Sequence, residues 1–328
     1  MLPFYNEAEI RAVVTAADSV AAIRAVFRAD GEGQTTVPEV INLAIPGTQG
    51  EFHIKTAYVA GIPHIAVKVA SGFYDNPARG LPTGTGLMAL FDASTGMPVA
   101  MLFDNGYLTD VRTGAAGAVA AECLARPLIE TVGVIGSGVQ ARHQVRCLRE
   151  VRRFARLVAW SIDPDGLGAY CDEMREELGI EVCAAADAQA VARAADVLIT
   201  ATPSRGPIVM EGWVRPGTHV TALGADGPGK QELDPRLLAS ADLVVVDRLS
   251  QCRRLGELQH ALAARLMREE DVHAELGDVV AGKKPGRTTD RQITIADLTG
   301  VGFQDTAIAS LAYQKLVVGR GAWGVGRG

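Results

Sequence analysis

Residues Thr131–Ala141 read TVGVIGSGVQA, five residues of β-prone, buried-strand character followed directly by Gly-x-Gly-x-x-Ala. The glycines end the run and a helical pattern from Ser137 to Val151 follows. In that setting each residue has a physical task. Gly136 permits the tight turn, Gly138 lets backbone approach a pyrophosphate, and Ala141 allows close packing of helix on strand. Val139 and Gln140 lie in the first turn, where unpaired N–H groups and the helix dipole favour phosphate. The stretch therefore predicts a strand–turn–helix that binds a dinucleotide.

Working outward, the same alternation repeats. Strands are expected at Arg156–Trp160, Gly179–Cys183, Asp196–Thr200, His219–Leu223, Leu243–Asp247 and Ile293–Ile295, with helices at Leu167–Leu178 and Asp187–Ala194 between them. Short apolar strands alternating with Ala-rich helices predict α/β architecture, a Rossmann doubly wound parallel sheet. The first 125 residues differ. Val37–Leu43, His53–Tyr58, His64–Lys68, Leu87–Phe91 and Pro98–Phe103 read as strands without long helices between them, with a turn at Asp92–Gly96. A β-rich α+β domain, mostly antiparallel, is expected there. Arg112–Arg126 and Asp305–Val318 read as helices, and the glycine-rich tail Gly319–Gly328 as loose.

Composition narrows the function. Lys plus Arg number 32 and Asp plus Glu 38, a net charge of −6 that gives no global attraction to nucleic acid or anionic membrane. The cluster Arg149, Arg152, Arg153 and Arg156 reads as a solvated helix end, where cations suit the dipole. No transmembrane run or secretory signal is expected. Five separated cysteines without CxxC, and six histidines without HxH or HExxH, predict reduced thiols, a cytoplasmic setting and no metal site.

Two further sets of residues suit the dinucleotide. Ser161 stands where a ribose-binding acid is expected after the second strand, and Asp163 follows two residues later; no Arg or Lys lies nearby to receive a 2′-phosphate. This favours NAD, with NADP left open. Thr200 and Thr202 end the fourth strand on the ligand-binding edge.

Several motifs now combine: Lys68, Asn76–Ala100 (NPARGLPTGTGLMALFDASTGMPVA), Leu108–Arg126 (LTDVRTGAAGAVAAECLAR), GVIGSGVQA, and Gly224–Asp234 (GADGPGKQELD). Together they resemble the ornithine cyclodeaminase/μ-crystallin family, with likeness both to its ectoine-utilisation cyclodeaminase branch and to its archaeal alanine dehydrogenases. The resemblance implies a homodimer. It implies a substrate and dimerisation domain of residues 1–125 plus 305–328, a dinucleotide domain of residues 126–304, and an active site in the cleft between them.

The resemblance also implies chemistry at Cα of a small α-amino or α-imino acid. Lys68, Arg112 and Thr83 are expected to hold the substrate carboxylate, with Arg112 offering a two-pronged grip. Lys68 and Asp226 are the expected catalytic pair, Asp226 handling protons on the amino group. Thr113, Lys230 and Thr299 are expected at the cofactor. One position departs from the family. Characterised ornithine cyclodeaminases carry a glutamate thirteen residues before the substrate lysine, and here that position is Lys55. Its charge would repel a second amine and welcome an anion. Net dehydrogenase or imine reductase chemistry and cyclodeamination are both open, with a non-catalytic μ-crystallin-type binding protein as the alternative.

Overall fold

The computed structural model describes residues 2–323, with side chains to Val318. The chain divides into two compact units, residues 1–112 with 301–328, and residues 113–300.

The first unit opens with β1 (Phe4–Asn6), α1 (Glu7–Arg11) and α2 (Ala16–Gly31). The strands β2 (Thr35–Thr36), β3 (Ile41–Ile45), β4 (Gly50–Val59), β5 (His64–Phe73), β6 (Gly84–Asp92) and β7 (Pro98–Phe103) follow, then α3 (Tyr107–Leu124). The sheet order is β1-β7-β6-β5-β4-β2, with β3 also on β4; β1 pairs parallel and the other pairings are antiparallel. The β-rich expectation holds, but α2 was not anticipated. Its signal is Thr15-x-x-Asp18, a capping box in which Asp18 N donates to Thr15 Oγ1 at 3.2 Å, followed by buried Val20, Ile23, Val26 and Phe27.

In the second unit β8 (Thr131–Ile135) leads through Gly138 into α4 (Val139–Val151). Next come β9 (Arg156–Trp160), α5 (Pro164–Leu178), β10 (Glu181–Ala184), α6 (Ala188–Ala194) and β11 (Val197–Thr200). The series continues with β12 (Arg205–Val209), β13 (His219–Ala222), β14 (Gln231–Leu233), α7 (Pro235–Ser240) and β15 (Leu243–Val246). It ends with α8 (Leu249–Leu255), α9 (Leu258–Ala263), β16 (Ala274–Glu275), α10 (Leu276–Val280) and β17 (Thr294–Asp297). Eight strands form one parallel sheet ordered β10-β9-β8-β11-β13-β17-β15-β16. The order reverses between β8 and β11, the switch point at which doubly wound sheets bind nucleotides. Every residue of β8, β11, β13, β15 and β17 is buried, as a sheet covered on both faces requires.

The last helix, α11 (Gly302–Trp323), belongs to the first unit and lies against β4 and β5. A Cβ on Gly302 would come within 2.3 Å of the Thr56 carbonyl oxygen, so glycine allows the helix start to press on β4. Thr306 Oγ1 donates to Ala57 O at 2.8 Å and accepts from Ala66 N at 3.2 Å, and Phe27 stacks edge-on against Phe303. The first residues of the expected loose tail continue this helix as far as Trp323; the rest lies outside the described residues.

Two boundaries at α3 differ from the sequence reading. The helix expected from Arg112 begins at Tyr107, because Asp104 caps it: Leu108 N donates to Asp104 Oδ2 at 2.8 Å. The division between units falls inside that helix instead of after it. From Gly114 onward the helix packs on α4, with the Gly117 Cβ position only 1.9 Å from Gln144 Oε1.

Candidate active site

The first unit gathers a set of buried charges on the face where α11 crosses the sheet. Lys55 on β4 and Lys68 on β5 are direct antiparallel partners, so both side chains leave the same face. They are 6% and 2% exposed. Lys68 Nζ lies 3.1 Å from Asp305 Oδ2, in the first turn of α11. Arg112, from α3, places Nε 3.0 Å from Asp305 Oδ1 and Nη1 2.9 Å from Gln304 Oε1. Its Nη2 makes no hydrogen bond to any described residue, which leaves an edge of the guanidinium fork for an anion.

The electrostatics follow from burial and crowding. Burial pushes the Lys68 ammonium down to about 7; the Arg112 and Lys55 charges push the same way, and Asp305 opposes them. Burial alone would raise Asp305, yet Lys68, Arg112 and Lys55 together hold it below the usual carboxylate range. Asp104 is raised to about 6 by burial, partly offset by backbone donors and Lys68. Asp104 Oδ1 and Gln304 Nε2 are buried without a hydrogen bond, whereas Asp305 Oδ2 is held by the Lys68 ammonium. Unsatisfied polar atoms are rare in native interiors, and their presence around one cationic set marks a place built for a polar ligand.

Asp305 and Gln304 were not named as site residues from the sequence. The available signal was an acid and an amide in the first turn of an otherwise apolar helix. The sequence reading starts a helix at Arg112. Arg112 sits in the second turn, and the anion beside it is Asp305. Thr83 does not join this set. Its carbonyl accepts Phe73 N, whereas Lys68 pairs with Met88, five residues, roughly 16 Å, along β6. Thr113 has no spare backbone donor, since it lies beyond the four open N–H groups of its helix.

The second unit carries the dinucleotide features. Gly136 has φ +109°, and a Cβ there would meet Ala201 O at 2.6 Å. Gly138 faces open space at the N-cap of α4, which Val139 and Gln140 open. Ala141 is fully buried. Asp163 occupies the N-cap position of α5, but its side chain makes no capping bond. Its Oδ2 instead lies 2.3 Å from where a Gly166 Cβ would stand, and Ser137 Oγ is 3.4 Å from that same point. The carboxylate is thus turned toward the glycine turn, as a ribose-binding acid must be. Ser161 Oγ accepts Asp163 N at 3.3 Å and supports it. A glycine cradle at the start of α4 and a carboxylate at the start of α5 fit NAD.

Asp226 lies in the loop after β13, its side chain 45% exposed, and Lys230 Nζ holds its Oδ1 at 2.7 Å. Lys230 is buried at 4% exposure, not a solvated loop residue. Thr200 and Thr202 turn inward: both hydroxyls donate to Glu232, at 2.7 and 2.8 Å. Thr299 donates to Asp247 Oδ1 at 2.9 Å and accepts from Gln251. These threonines shape the sheet edge through buried acids that the sequence reading did not name. Glu232 also accepts Thr202 N and Gly224 N, Glu257 accepts Glu232 N and Leu233 N, and Asp297 accepts Glu257 N and Leu258 N. Of the basic cluster, Arg152 donates to the carbonyls of Glu122 and Arg126 at the end of α3. Among the described residues no metal-binding cluster occurs, none of the five cysteines forms a disulfide, and no helix is long and apolar enough to cross a membrane.

Comparison with known proteins gives this arrangement its family. The model of the ornithine cyclodeaminase/mu-crystallin family matches residues 4–320. The chain belongs to the ornithine cyclodeaminase/mu-crystallin family. An uncharacterized cyclodeaminase of Sinorhizobium fredii is 43% identical, over 94% of each chain. Two solved structures are similar throughout. An archaeal alanine dehydrogenase dimer with bound NAD is 35% identical, with TM-score 0.91 and 97% of each chain covered. The Thermococcus litoralis Δ1-pyrroline-2-carboxylate reductase, in complex with NADH and L-proline, is 31% identical, with TM-score 0.93 and coverage of 97% and 98%. The chain is an enzyme of this family's dehydrogenase, reductase and cyclodeaminase kind.

Proposed function

We propose that this family member is an NAD-dependent amino acid dehydrogenase or imine reductase acting at Cα of a small α-amino or α-imino acid. The observation that carries the reading is the Lys68–Asp305–Arg112 array. It is a buried, pre-positioned cationic grip with an unused guanidinium edge, suited to an α-carboxylate. When bound, NAD accepts or supplies the hydride. Gly136, Gly138 and the start of α4 receive its pyrophosphate, and Asp163 with Ser161 receives a ribose. Arg112 and Lys68 fix the carboxylate and so the position of Cα. Lys68, near neutrality in its affinity for a proton, serves proton transfer at the substrate. Asp226, held by Lys230, accepts the proton of the amino group.

Net redox chemistry is favoured over cyclodeamination by Lys55. Cyclodeamination needs a second amine on the substrate, and a buried ammonium beside Lys68 repels one. The similarity to a cyclodeaminase keeps that outcome as the second reading. The protein is read as a homodimer, in line with the dimer of the archaeal alanine dehydrogenase, in a cytoplasmic setting suited to thiols outside disulfides.

One assay tests the reading. Purified protein is incubated with NAD+ or NADP+ and alanine, aspartate, ornithine, 2,4-diaminobutyrate or lysine, while reduced cofactor and ammonia are followed together. Matching growth of both is expected. Ammonia released without net reduction would replace the reading by cyclodeamination, and NAD binding with silence in both channels would replace it by a ligand-binding role.

A further inference from the structure

We propose that Arg142 is a positioning residue for the cofactor: it fixes the two peptide units of the glycine turn whose N–H groups receive the pyrophosphate. This rests on the reading of Gly136, Gly138 and the start of α4 as the pyrophosphate cradle. Arg142 is the fourth residue of α4, and its side chain reaches back toward the helix start, the direction in which helical side chains lean. Its Nη1 donates to Ser137 O at 2.5 Å and to Gly138 O at 3.1 Å. Among the described residues no peptide bond is cis. In a planar trans peptide the C=O and the following N–H point in opposite directions. Holding these two carbonyls therefore turns the N–H groups of Gly138 and Val139 away from Arg142, toward the space ahead of the helix where an anion binds.

A guanidinium at this place needs a reason, because the start of a helix is positive and a cation there is unfavourable. α5 offsets the penalty. Glu173 Oε2 accepts Arg142 Nε at 2.7 Å, and Glu173 Oε1 accepts Arg146 Nη2 at 2.9 Å, so both carboxylate oxygens are engaged. The Arg142 guanidinium lies over the Tyr170 ring, 5.2 Å from its centroid. One planar fork thus makes contacts in two directions, to the turn through Nη1 and to α5 through Nε. A lysine ammonium cannot reproduce both. The same helix has Asp163 at its N-cap. α5 therefore carries the ribose carboxylate at its start and, through Glu173, the anchor of the pyrophosphate turn.

The test follows NADH binding by fluorescence titration on the full-length protein, with ADP and adenosine as competitors. ADP carries the pyrophosphate; adenosine has the same base and sugar without it. Arg142→Met is expected to weaken NADH and ADP about tenfold and to leave adenosine within about twofold. Arg142→Lys keeps the charge and should still lose nearly as much as Arg142→Met. Glu173→Gln should weaken NADH about threefold, and should change nothing further when combined with Arg142→Met. Should Arg142→Met fail to fold, Arg142→Lys and Glu173→Gln carry the same comparison of ADP with adenosine. Arg142→Lys binding NADH as tightly as the unsubstituted protein overturns the proposal in favour of plain attraction between charges. So does Glu173→Gln binding NADH as tightly or more tightly, since it leaves the cation without its counter-charge. Equal loss of ADP and adenosine refutes the role at the pyrophosphate and makes Arg142 a support of the fold. NADH bound alike by every variant removes the role of Arg142 and leaves the dinucleotide site standing. NADH bound by none, the unsubstituted protein included, overturns the reading of the turn itself.

Discussion

Lys230 Nζ lies 2.7 Å from Asp226 Oδ1, with the lysine buried and the carboxylate half exposed. The pair divides labour within four residues: the buried partner fixes an orientation, and the exposed partner remains reachable. Asp226→Asn is expected to lower kcat about 100-fold or more, with NAD affinity nearly unchanged. Lys230→Met should lower kcat by about tenfold while the NAD dissociation constant moves less. Steady-state kinetics with NAD titration checks both. Full activity in Asp226→Asn would remove its assigned role.

Arg112 makes two directional contacts, to Asp305 and Gln304, that an ammonium cannot reproduce together. Arg112→Lys should raise the substrate KM by about 100-fold while cofactor binding is spared. Arg112→Ala removes one partner of a buried pair and should also cost about 3 kcal/mol of stability. Thermal melts of both variants beside the kinetics separate the two effects.

Substrate affinity should depend on pH through Lys68. Its proton is held below about pH 7 and released above it, because burial favours the neutral amine. Anion binding is therefore strongest below pH 7 and weakens as pH rises through 7 to 8. Arg112 stays charged and preserves part of it. A succinate titration across this range should show the decline, and Lys68→Met should flatten it. A flat profile in the unsubstituted protein would contradict the assignment.

The two glycines of the turn should behave differently. Gly136→Ala forces a side chain into φ +109° and against Ala201 O, so a stability loss of about 1–3 kcal/mol is expected along with loss of NAD binding. Gly138→Ala meets open space, and its cost should fall on NAD binding with the melting temperature nearly unchanged.

Glu232 receives four donors, from Thr200, Thr202 twice, and Gly224, while burial raises its pKa. Glu232→Gln turns an amide toward groups that need an acceptor. A loss of about 2–3 kcal/mol is expected in chemical denaturation.

The parallel sheet was legible because β8, β9 and their neighbours are short apolar runs with turn residues between them. Thr131–Ile135 and Arg156–Trp160 match residue for residue. Pro164 extends α5 three residues earlier than expected, since its fixed φ suits a helix start. Lys68 was legible as a cation in an apolar run, and Arg112 through the family resemblance and its place at a helix start. Asp305 was not, because its meaning comes from a long-range contact that no local pattern encodes. Thr200, Thr202 and Thr299 show the converse limit: the sequence places hydroxyls at the right sheet edge, but only packing reveals that buried acids occupy them.

The bond between Arg112 and Asp305 joins residues 193 apart, and it involves the last helix of the chain. During synthesis, Lys55, Lys68 and Arg112 emerge long before the carboxylate that neutralises them. The first unit cannot seal these cations until α11 has been made. A chain that stops before Gly302 would hold paired lysines with no helix to cover them, and would expose itself to proteolysis. Folding of the first unit thus waits for the helix that carries its counter-charge.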